Sequence, residues 1–267
     1  MFIRVYLWFI LSVADSVSFP CRLILSEPAT GAMNMALDEA LLDSATAEPN
    51  ANATLRIYQW AEPTLSLGYF QQCSEREDHE ASRDCDLIRR PSGGGAILHH
   101  HELTYSLVLP KAIAQGKAAS GWYDKVHKAL IDAIYELTGA SACLCENPPK
   151  LSASEEPFLC FERRASGDVL LDEHKIAGSA QRRRRDAILQ HGSVLLKCSA
   201  HAPELPGISD LANAELRFAD LAELLGKNVA RRLGFDLQIG EATSHELHLA
   251  DELARDRYNS DAWTLRR

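Results

Sequence analysis

The spacing of apolar residues in the first half of the chain predicts one helix followed by several strands. Leu37, Leu41 and the alanines between them share one helical face, which predicts a helix from residue 34 to about 45. Pro49 prevents the helix from continuing further. Residues 55–60 alternate between apolar and polar positions, as a half-buried strand does. Further strands are predicted at residues 65–70, 86–90, 96–98 and 103–109.

The middle of the chain predicts a second helix and then a loop. Apolar residues from Val126 to Leu137 fall in helical register, with Ser120 as the N-cap and Gly139 at the C-terminal end. Residues 140–158 are polar and contain prolines, which predicts a loop.

The last hundred residues change from strands to helices. A β-meander is predicted at 168–171, 175–181 and 187–196, with residues 182–186 at a turn. Helices are predicted at 218–233 and 246–254. Together the elements predict one α+β domain over residues 21–267, with a helical C-terminal part from about residue 205.

Composition narrows the function classes. With 267 residues, 46% apolar and 24% charged, the chain has the composition of a globular protein. A net charge of −9 argues against a general nucleic-acid binder, which usually carries a basic field. Seven cysteines, an odd number, do not form a disulfide framework and indicate a reducing compartment. We therefore expect a cytoplasmic protein with neither a nucleic-acid nor a membrane partner.

Residues 1–20 form an apolar N-terminal extension. An apolar run at 5–13 follows Arg4, and small residues continue to Ser18, which is the outline of a secretory signal. The run is too short to span a bilayer as a helix. A misassigned start or a buried first strand explains the same pattern. We favour these two readings because the chemistry inferred below requires a reduced thiol.

The first candidate site segment is rich in glycine. Its candidate substrate-binding residues are Arg89, Arg90, Ser92, Gly93, Gly94, Gly95 and His99. Three consecutive glycines allow a backbone to approach a ligand closely, although a tight hairpin loop would also use them. The spacing matches neither a phosphate-binding P-loop nor a dinucleotide-binding fingerprint. We expect His99 at the site and His100 and His101 facing solvent.

The second candidate segment combines a lysine with small residues. It consists of Lys175, Gly178, Ser179 and Ala180, and it closes at His191 and Gly192. An ammonium can sit beside a carbonyl or phosphate, and small residues can line a narrow acyl tunnel. Cys160 precedes Lys175 by 15 residues, which leaves room for one chain reversal. A nearby cation stabilises a thiolate, so the pair predicts acyl transfer with Cys160 and Lys175 as catalytic residues. By default such a cysteine is an inert core residue and such a lysine a surface charge.

The chain resembles the lipoate–protein ligase and octanoyltransferase family over most of its length from residue 22. The matching stretches are 31–42, 55–71, 89–109, 160–196 and 257–263. The resemblance implies an α+β catalytic core similar to that of biotin ligases and class II aminoacyl-tRNA synthetases, with a mixed and antiparallel sheet flanked by helices. It also implies that the Arg-Arg-x-x-Gly-Gly-Gly loop and the Lys-x-x-Gly segment grip the acyl group and the group attached to its carbonyl.

Within this family the chain is most similar to the cysteine-type octanoyltransferases. They also carry Cys-Phe ahead of the lysine and Gly-Ser-Ala-Gln after it, and they form an acyl-enzyme thioester. The resemblance implies octanoyl–acyl carrier protein as donor, and an apo lipoyl domain or glycine-cleavage H protein as acceptor. It implies no cofactor and no metal.

Three alternatives remain. The chain could be an ATP-dependent lipoate–protein ligase, which makes an acyl-adenylate and would need ATP and Mg²⁺. It could also be a non-catalytic module that binds lipoyl or biotinyl groups, or a cysteine hydrolase. The arginine run at residues 182–185 either docks an acidic carrier protein or forms a solvated turn.

Overall fold

The computed structural model describes residues 18–114, 119–150, 152 and 156–267. Its strands are β1 (Phe19–Leu25), β2 (Ala53–Tyr58), β3 (Thr64–Leu67), β4 (Asp86–Arg89), β5 (Ile97–His99), β6 (Glu102–Leu109), β7 (Cys143–Leu144), β8 (Val169–Leu171), β9 (His174–Arg184), β10 (Ala187–Leu195) and β11 (Phe235–Ile239). Its α-helices are α1 (Gly31–Ala47), α2 (Lys111–Ala114), α3 (Ala119–Thr138), α4 (Ile208–Ala212), α5 (Phe218–Leu233), α6 (Ser244–Leu253) and α7 (Asp261–Thr264). Short 3₁₀ turns at Cys73–Asp78, Glu80–Ser82 and Cys160–Glu162 and a π-turn at Ala254–Tyr258 complete the elements.

The strands form a large and a small sheet. The large sheet has the order β11-β1-β2-β6-β10-β9-β8-β7, with β1 parallel to both of its neighbours and every other pair antiparallel. The small sheet has the order β4-β3-β5, so that the two strands joined by the glycine-rich segment flank β3. That segment is therefore not the turn of a hairpin, because the strands on either side of it do not pair with each other.

Different helices cover the two faces of the large sheet. Along β2, Leu55 and Ile57 belong to the core beneath α3 and α5, whereas Tyr58 belongs to the core beneath α1 and α6. Successive side chains of a strand point to opposite faces, so this alternation separates the two cores. The sheet is thus mixed and flanked by helices, as the α+β prediction required.

Helix α1 is buried more completely than its sequence pattern predicted. Thr30 caps it, and the apolar face around Leu41 is buried as expected. Asn34, Asp38 and Glu39 are buried as well, because arginines from other elements reach them. Over residues 34–42, α1 therefore presents no side to solvent.

Three predicted features differ from the structure. Arg182, Arg183 and Arg184 lie in β9 rather than in a turn, and the reversal to β10 is made by Arg185 and Asp186. The predicted loop at 140–158 contains the two-residue strand β7, and the C-terminal part contains β11 as well as helices. All three are sheet-edge or strand-end segments, where exposed polar side chains hide the alternation that identifies a strand.

Residues 1–17, which carry most of the predicted N-terminal extension, lie outside the described residues. Within the described ranges, no helix has the length and apolar character that crossing a bilayer requires.

Candidate active site

A cavity of about 320 Å³ lies where the glycine-rich loop meets the large sheet. Its volume is in the range typical of small-ligand sites. The predicted site residues that line it are Arg90, Gly93, Gly94, His99, Cys160, Lys175, Gly178, Ser179, Ala180, His191 and Gly192. Two chain segments that are far apart in sequence therefore meet around one space.

The glycine-rich loop brings backbone, rather than side chain, against the thiol. Gly94 has φ of +98°, in the left-handed region that favours glycine. A Cβ on Gly94 would lie 3.9 Å from Cys160 Sγ and 3.0 Å from Arg90 Nη2. The positive φ therefore favours glycine at this position, and an added Cβ would be crowded by the Arg90 guanidinium rather than by the thiol.

The two arginines that open the loop bind backbone carbonyls. Arg90 donates to the carbonyls of Ser66, Gly93 and Gly95. Its guanidinium lines the cavity, and burial lowers its pKa to about 10. Arg89 faces away from the cavity and donates to carbonyls that include that of Thr264. Arg90 thus holds the glycine loop in place, whereas Arg89 holds residues 68–71 against the C-terminal segment.

Ser92 and Gly95 complete the loop outside the residues that line the cavity. Ser92 Oγ is hydrogen bonded to His191 Nε2 at 2.6 Å, which ties the loop to β10. Gly95 packs against Arg163, whose Nε would lie 2.9 Å from a Cβ at this position. These two residues support the cavity wall from behind.

Cys160 and Lys175 face each other in the cavity. The backbone N–H of Cys160 donates to Ala96 O at 2.7 Å, which fastens the 3₁₀ turn bearing the thiol to the end of the glycine loop. Lys175 Nζ lies 3.7 Å from Cys160 Sγ and 3.2 Å from Cys160 O. This is the close approach of ammonium and thiol that the sequence predicted.

Asp168 is a site residue that the sequence reasoning missed. Its Oδ2 lies 2.8 Å from Lys175 Nζ, and both side chains are almost fully buried. A Cβ at Gly178 would lie 2.7 Å from Lys175 Cε and 3.1 Å from Asp168 Oδ1, which explains the glycine of the Lys-x-x-Gly segment. A lone aspartate at the start of a buried strand was the signal that could have identified it.

Another part of the cavity wall is a stack of Trp60 on His99. The two rings are 3.8 Å apart and nearly parallel. His99 Nδ1 is hydrogen bonded to Glu102 at 2.7 Å and Nε2 to Ser66 at 2.8 Å. Burial lowers the pKa of His99 despite the nearby Glu102 carboxylate. His99 thus lines the cavity as expected, with both ring nitrogens engaged by protein groups.

A buried histidine behind Ser179 was also missed. His127 Nε2 is hydrogen bonded to Ser179 Oγ and its Nδ1 to Gly167 O, each at 2.6 Å. Tyr105 OH reaches the same Ser179 Oγ at 2.6 Å. Because burial lowers the pKa of His127, the neutral ring donates from Nδ1 to the carbonyl and accepts from the serine. This network orients Ser179 in the cavity wall.

Other polar clusters carry less chemistry. The rings of His100 and His101 stack on each other, with centroids 3.6 Å apart. His101 is exposed as expected, whereas His100 is half-buried. Within the described ranges, no three His, Cys, Asp or Glu side chains converge as metal ligands would. All seven cysteines are unpaired.

Comparison with known proteins relates this geometry to a family. The model of the lipoyl protein ligase A/B catalytic domain matches residues 30–214. Octanoyltransferase LipM of Kyrpidia tusciae is 32% identical over 92% of this chain and 98% of its own length. Octanoyltransferase LipM of Symbiobacterium thermophilum is 33% identical, with the same two coverages. A crystal structure of lipoate-protein ligase A bound with ATP is 23% identical, with a TM-score of 0.73 over 92% of this chain and 98% of that one.

The class that these likenesses define is an acyltransferase enzyme, built on the fold of the lipoate-protein ligases. The chain belongs to the lipoyl protein ligase A/B catalytic domain family. The resemblance and the fold class inferred from the sequence are thereby confirmed. The roles of the individual site residues stay predictions.

Proposed function

We propose that the protein transfers an octanoyl group from octanoyl–acyl carrier protein, through a thioester on Cys160, to a lysine of an apo lipoyl domain or glycine-cleavage H protein. The observation that carries the proposal is Cys160 Sγ at 3.7 Å from Lys175 Nζ in a cavity of ligand size. Relatives named octanoyltransferases support the acyl group. A solved lipoate protein ligase of Thermoplasma acidophilum, described with its E2 lipoyl domain, suggests the acceptor class.

The first half-reaction loads the thiol. The Cys160 thiolate attacks the thioester carbonyl of the donor, and Lys175 stabilises first the thiolate and then the oxyanion. The carbon–sulfur bond to the carrier breaks, and the carrier thiolate leaves and takes up a proton from solvent. Cys160 then holds the acyl chain, which occupies the cavity between the thiol and the Trp60–His99 stack.

The second half-reaction delivers the acyl group. The neutral ε-amine of the acceptor lysine attacks the Cys160 thioester, a carbon–nitrogen bond forms, and the carbon–sulfur bond breaks. Cys160 returns to its thiolate and the new amide releases one proton to solvent. No ATP, metal or other cofactor enters either step. We place the reaction in the cytoplasm, since a catalytic thiol requires a reducing compartment.

An exposed part of the arginine run is our candidate for carrier docking. Arg184 is held by Glu39 at 3.0 Å, and Arg182 donates to a carbonyl of the glycine loop. Arg183 and Arg185 are exposed. Acyl carrier proteins are acidic, so these two charges would steer the donor at low salt.

The decisive experiment is an intact mass of the enzyme after incubation with octanoyl–acyl carrier protein without ATP. We expect one octanoyl adduct on the wild type, and none on Cys160→Ala. Cys198→Ala is the matched control, because Cys198 is also half-buried and lies outside the cavity. If the wild type forms no adduct but acylates a lipoyl domain once lipoate and ATP are added, the protein is a ligase and the proposal is wrong.

A further inference from the structure

The carboxylate of Asp168 is fixed in place by three donors. Its Oδ2 accepts from the backbone N–H of Ala165 at 2.7 Å and lies 2.8 Å from Lys175 Nζ. Its Oδ1 accepts from Tyr123 OH at 3.2 Å. Three donors around one buried carboxylate fix its position beside Lys175.

The ammonium of Lys175 is placed between that anion and the thiol. Its neighbours are Asp168 Oδ2, Cys160 O and Cys160 Sγ, at 2.8, 3.2 and 3.7 Å. The aliphatic part passes close to Gly178, where a Cβ would lie 2.7 Å from Lys175 Cε. Nζ thus contacts the carboxylate and lies beside the sulfur at the same time.

This placement creates a hazard during the reaction cycle. Once Cys160 carries an acyl group, the thioester carbonyl carbon is bonded to Sγ and Lys175 Nζ lies within reach of it. An ammonium has no lone pair and cannot attack. A neutral amine there would attack the carbonyl, since a buried lysine without an anionic neighbour is driven toward its neutral form. The carbon–sulfur bond would break, an amide would form on Nζ, and the amine proton would pass to the cysteine thiolate.

We propose that Asp168 is a positioning residue that keeps Lys175 an ammonium through the whole cycle. The carboxylate thereby lets Lys175 stabilise the thiolate and also prevents transfer of the acyl group from Cys160 to Lys175. This inference rests on the proposed thioester mechanism. It adds a role for Asp168, namely protection of the acyl-enzyme against an irreversible amide.

The test compares the chemical nature of the adduct in wild type and Asp168→Asn. Each protein is incubated with octanoyl–acyl carrier protein, treated with neutral hydroxylamine, which cleaves thioesters but not amides, and weighed intact. The wild-type adduct should be lost. The Asp168→Asn adduct should resist hydroxylamine and map to Lys175, where acylation also blocks tryptic cleavage. Multiple-turnover transfer should fall about 100-fold, as for a misplaced catalytic group.

Matched variants separate the charge from the packing. Tyr123→Phe removes a hydrogen bond to Asp168 but keeps the carboxylate, and its adduct should stay labile. If Asp168→Asn does not fold, Asp168→Glu retains the charge and should also give only a labile adduct. A resistant amide in the Glu variant would overturn the inference.

The inference also fails if folded Asp168→Asn forms a labile adduct and turns over within about twofold of wild type. A wild type that forms no adduct contradicts the proposed function instead, so the two failures can be told apart.

Discussion

Two buried ion pairs in this protein have the same carboxylate-to-cation distance but different neighbours around the cation. Asp38–Arg56 and Asp168–Lys175 each join a carboxylate to a cation at 2.8 Å. Arg56 also donates to Ser26 Oγ, Asn34 O and Asn34 Oδ1. Lys175 instead faces the cavity and a thiol.

The difference lies in how the cation is used. The guanidinium of Arg56 stacks 3.8 Å from the centre of the Tyr58 ring. Its N–H groups donate to oxygen atoms of the protein. Lysine is a compact point charge with three rotatable donors, which suits a group that must meet a changing partner. The carboxylate of the first pair is affected by its neighbours as well. Burial alone would raise the pKa of Asp38, but His191 and Arg56 outweigh burial and lower it. A buried ion pair is therefore structural when its donors are all satisfied, and available for chemistry when one of them faces a reactive atom.

Breaking the structural pair should produce the largest effect. Arg56→Met leaves the Asp38 carboxylate buried without its cation, and we expect the free energy of unfolding to fall by about 3–5 kcal/mol. Chemical denaturation measures this loss. Arg183→Met, at an exposed arginine, is the control and should change little. A loss below about 1 kcal/mol for Arg56→Met would contradict the structural role.

Breaking the cavity-facing pair should affect rate more than stability. Lys175→Met removes the charge that stabilises thiolate and oxyanion, so acyl transfer should slow by about 10²–10³-fold. Single-turnover kinetics of Cys160 acylation measures the step directly. Lys197→Met, at an exposed lysine, should leave the rate unchanged. A Lys175→Met enzyme with an unchanged rate would show that the thiol acts without the ammonium.

Crowding the second pair without changing its charges sharpens the comparison. In Gly178→Ala the added Cβ must displace Lys175, so we expect about a 100-fold loss of rate. Gly121→Ala is the matched control, because a Cβ there meets nothing within 4 Å. Equal rates for the two alanine variants would mean that Lys175 adjusts freely.

The smallest effect is expected at the surface. Arg183→Ser combined with Arg185→Ser should slow acylation by the carrier-bound donor roughly three- to tenfold at low salt, with the difference disappearing as salt screens the charges. Arg217→Ser with Arg231→Ser, at an exposed arginine that precedes α5 and another within it, removes the same charge and is the control. A rate and salt dependence identical to wild type would exclude docking at Arg183 and Arg185.

The sequence by itself determined the main elements and several of the residues that line the cavity. Helical register predicted α3 and its end at Thr138, because its buried and exposed sides differ in polarity. The predicted N-cap was wrong, since the helix begins at Ala119 and Ser120 lies within it. Gly93–Gly94 and Lys175 could be singled out because close backbone approach and a charge next to small residues are local features of the chain. The family motifs also matched in the order in which they occur along the chain.

Only the tertiary structure decided which side chains face the cavity and which partners they have. Arg89 and Arg90 are neighbours in sequence, yet Arg90 lines the cavity while Arg89 donates to Thr264 O, 175 residues further along the chain. Asp168 becomes a site residue only because β8 and β9 bring it against Lys175. The periodicity of apolar residues indicates which face of an element is buried, because it is a local property of the sequence. A hydrogen bond between distant segments depends instead on how the whole sheet folds.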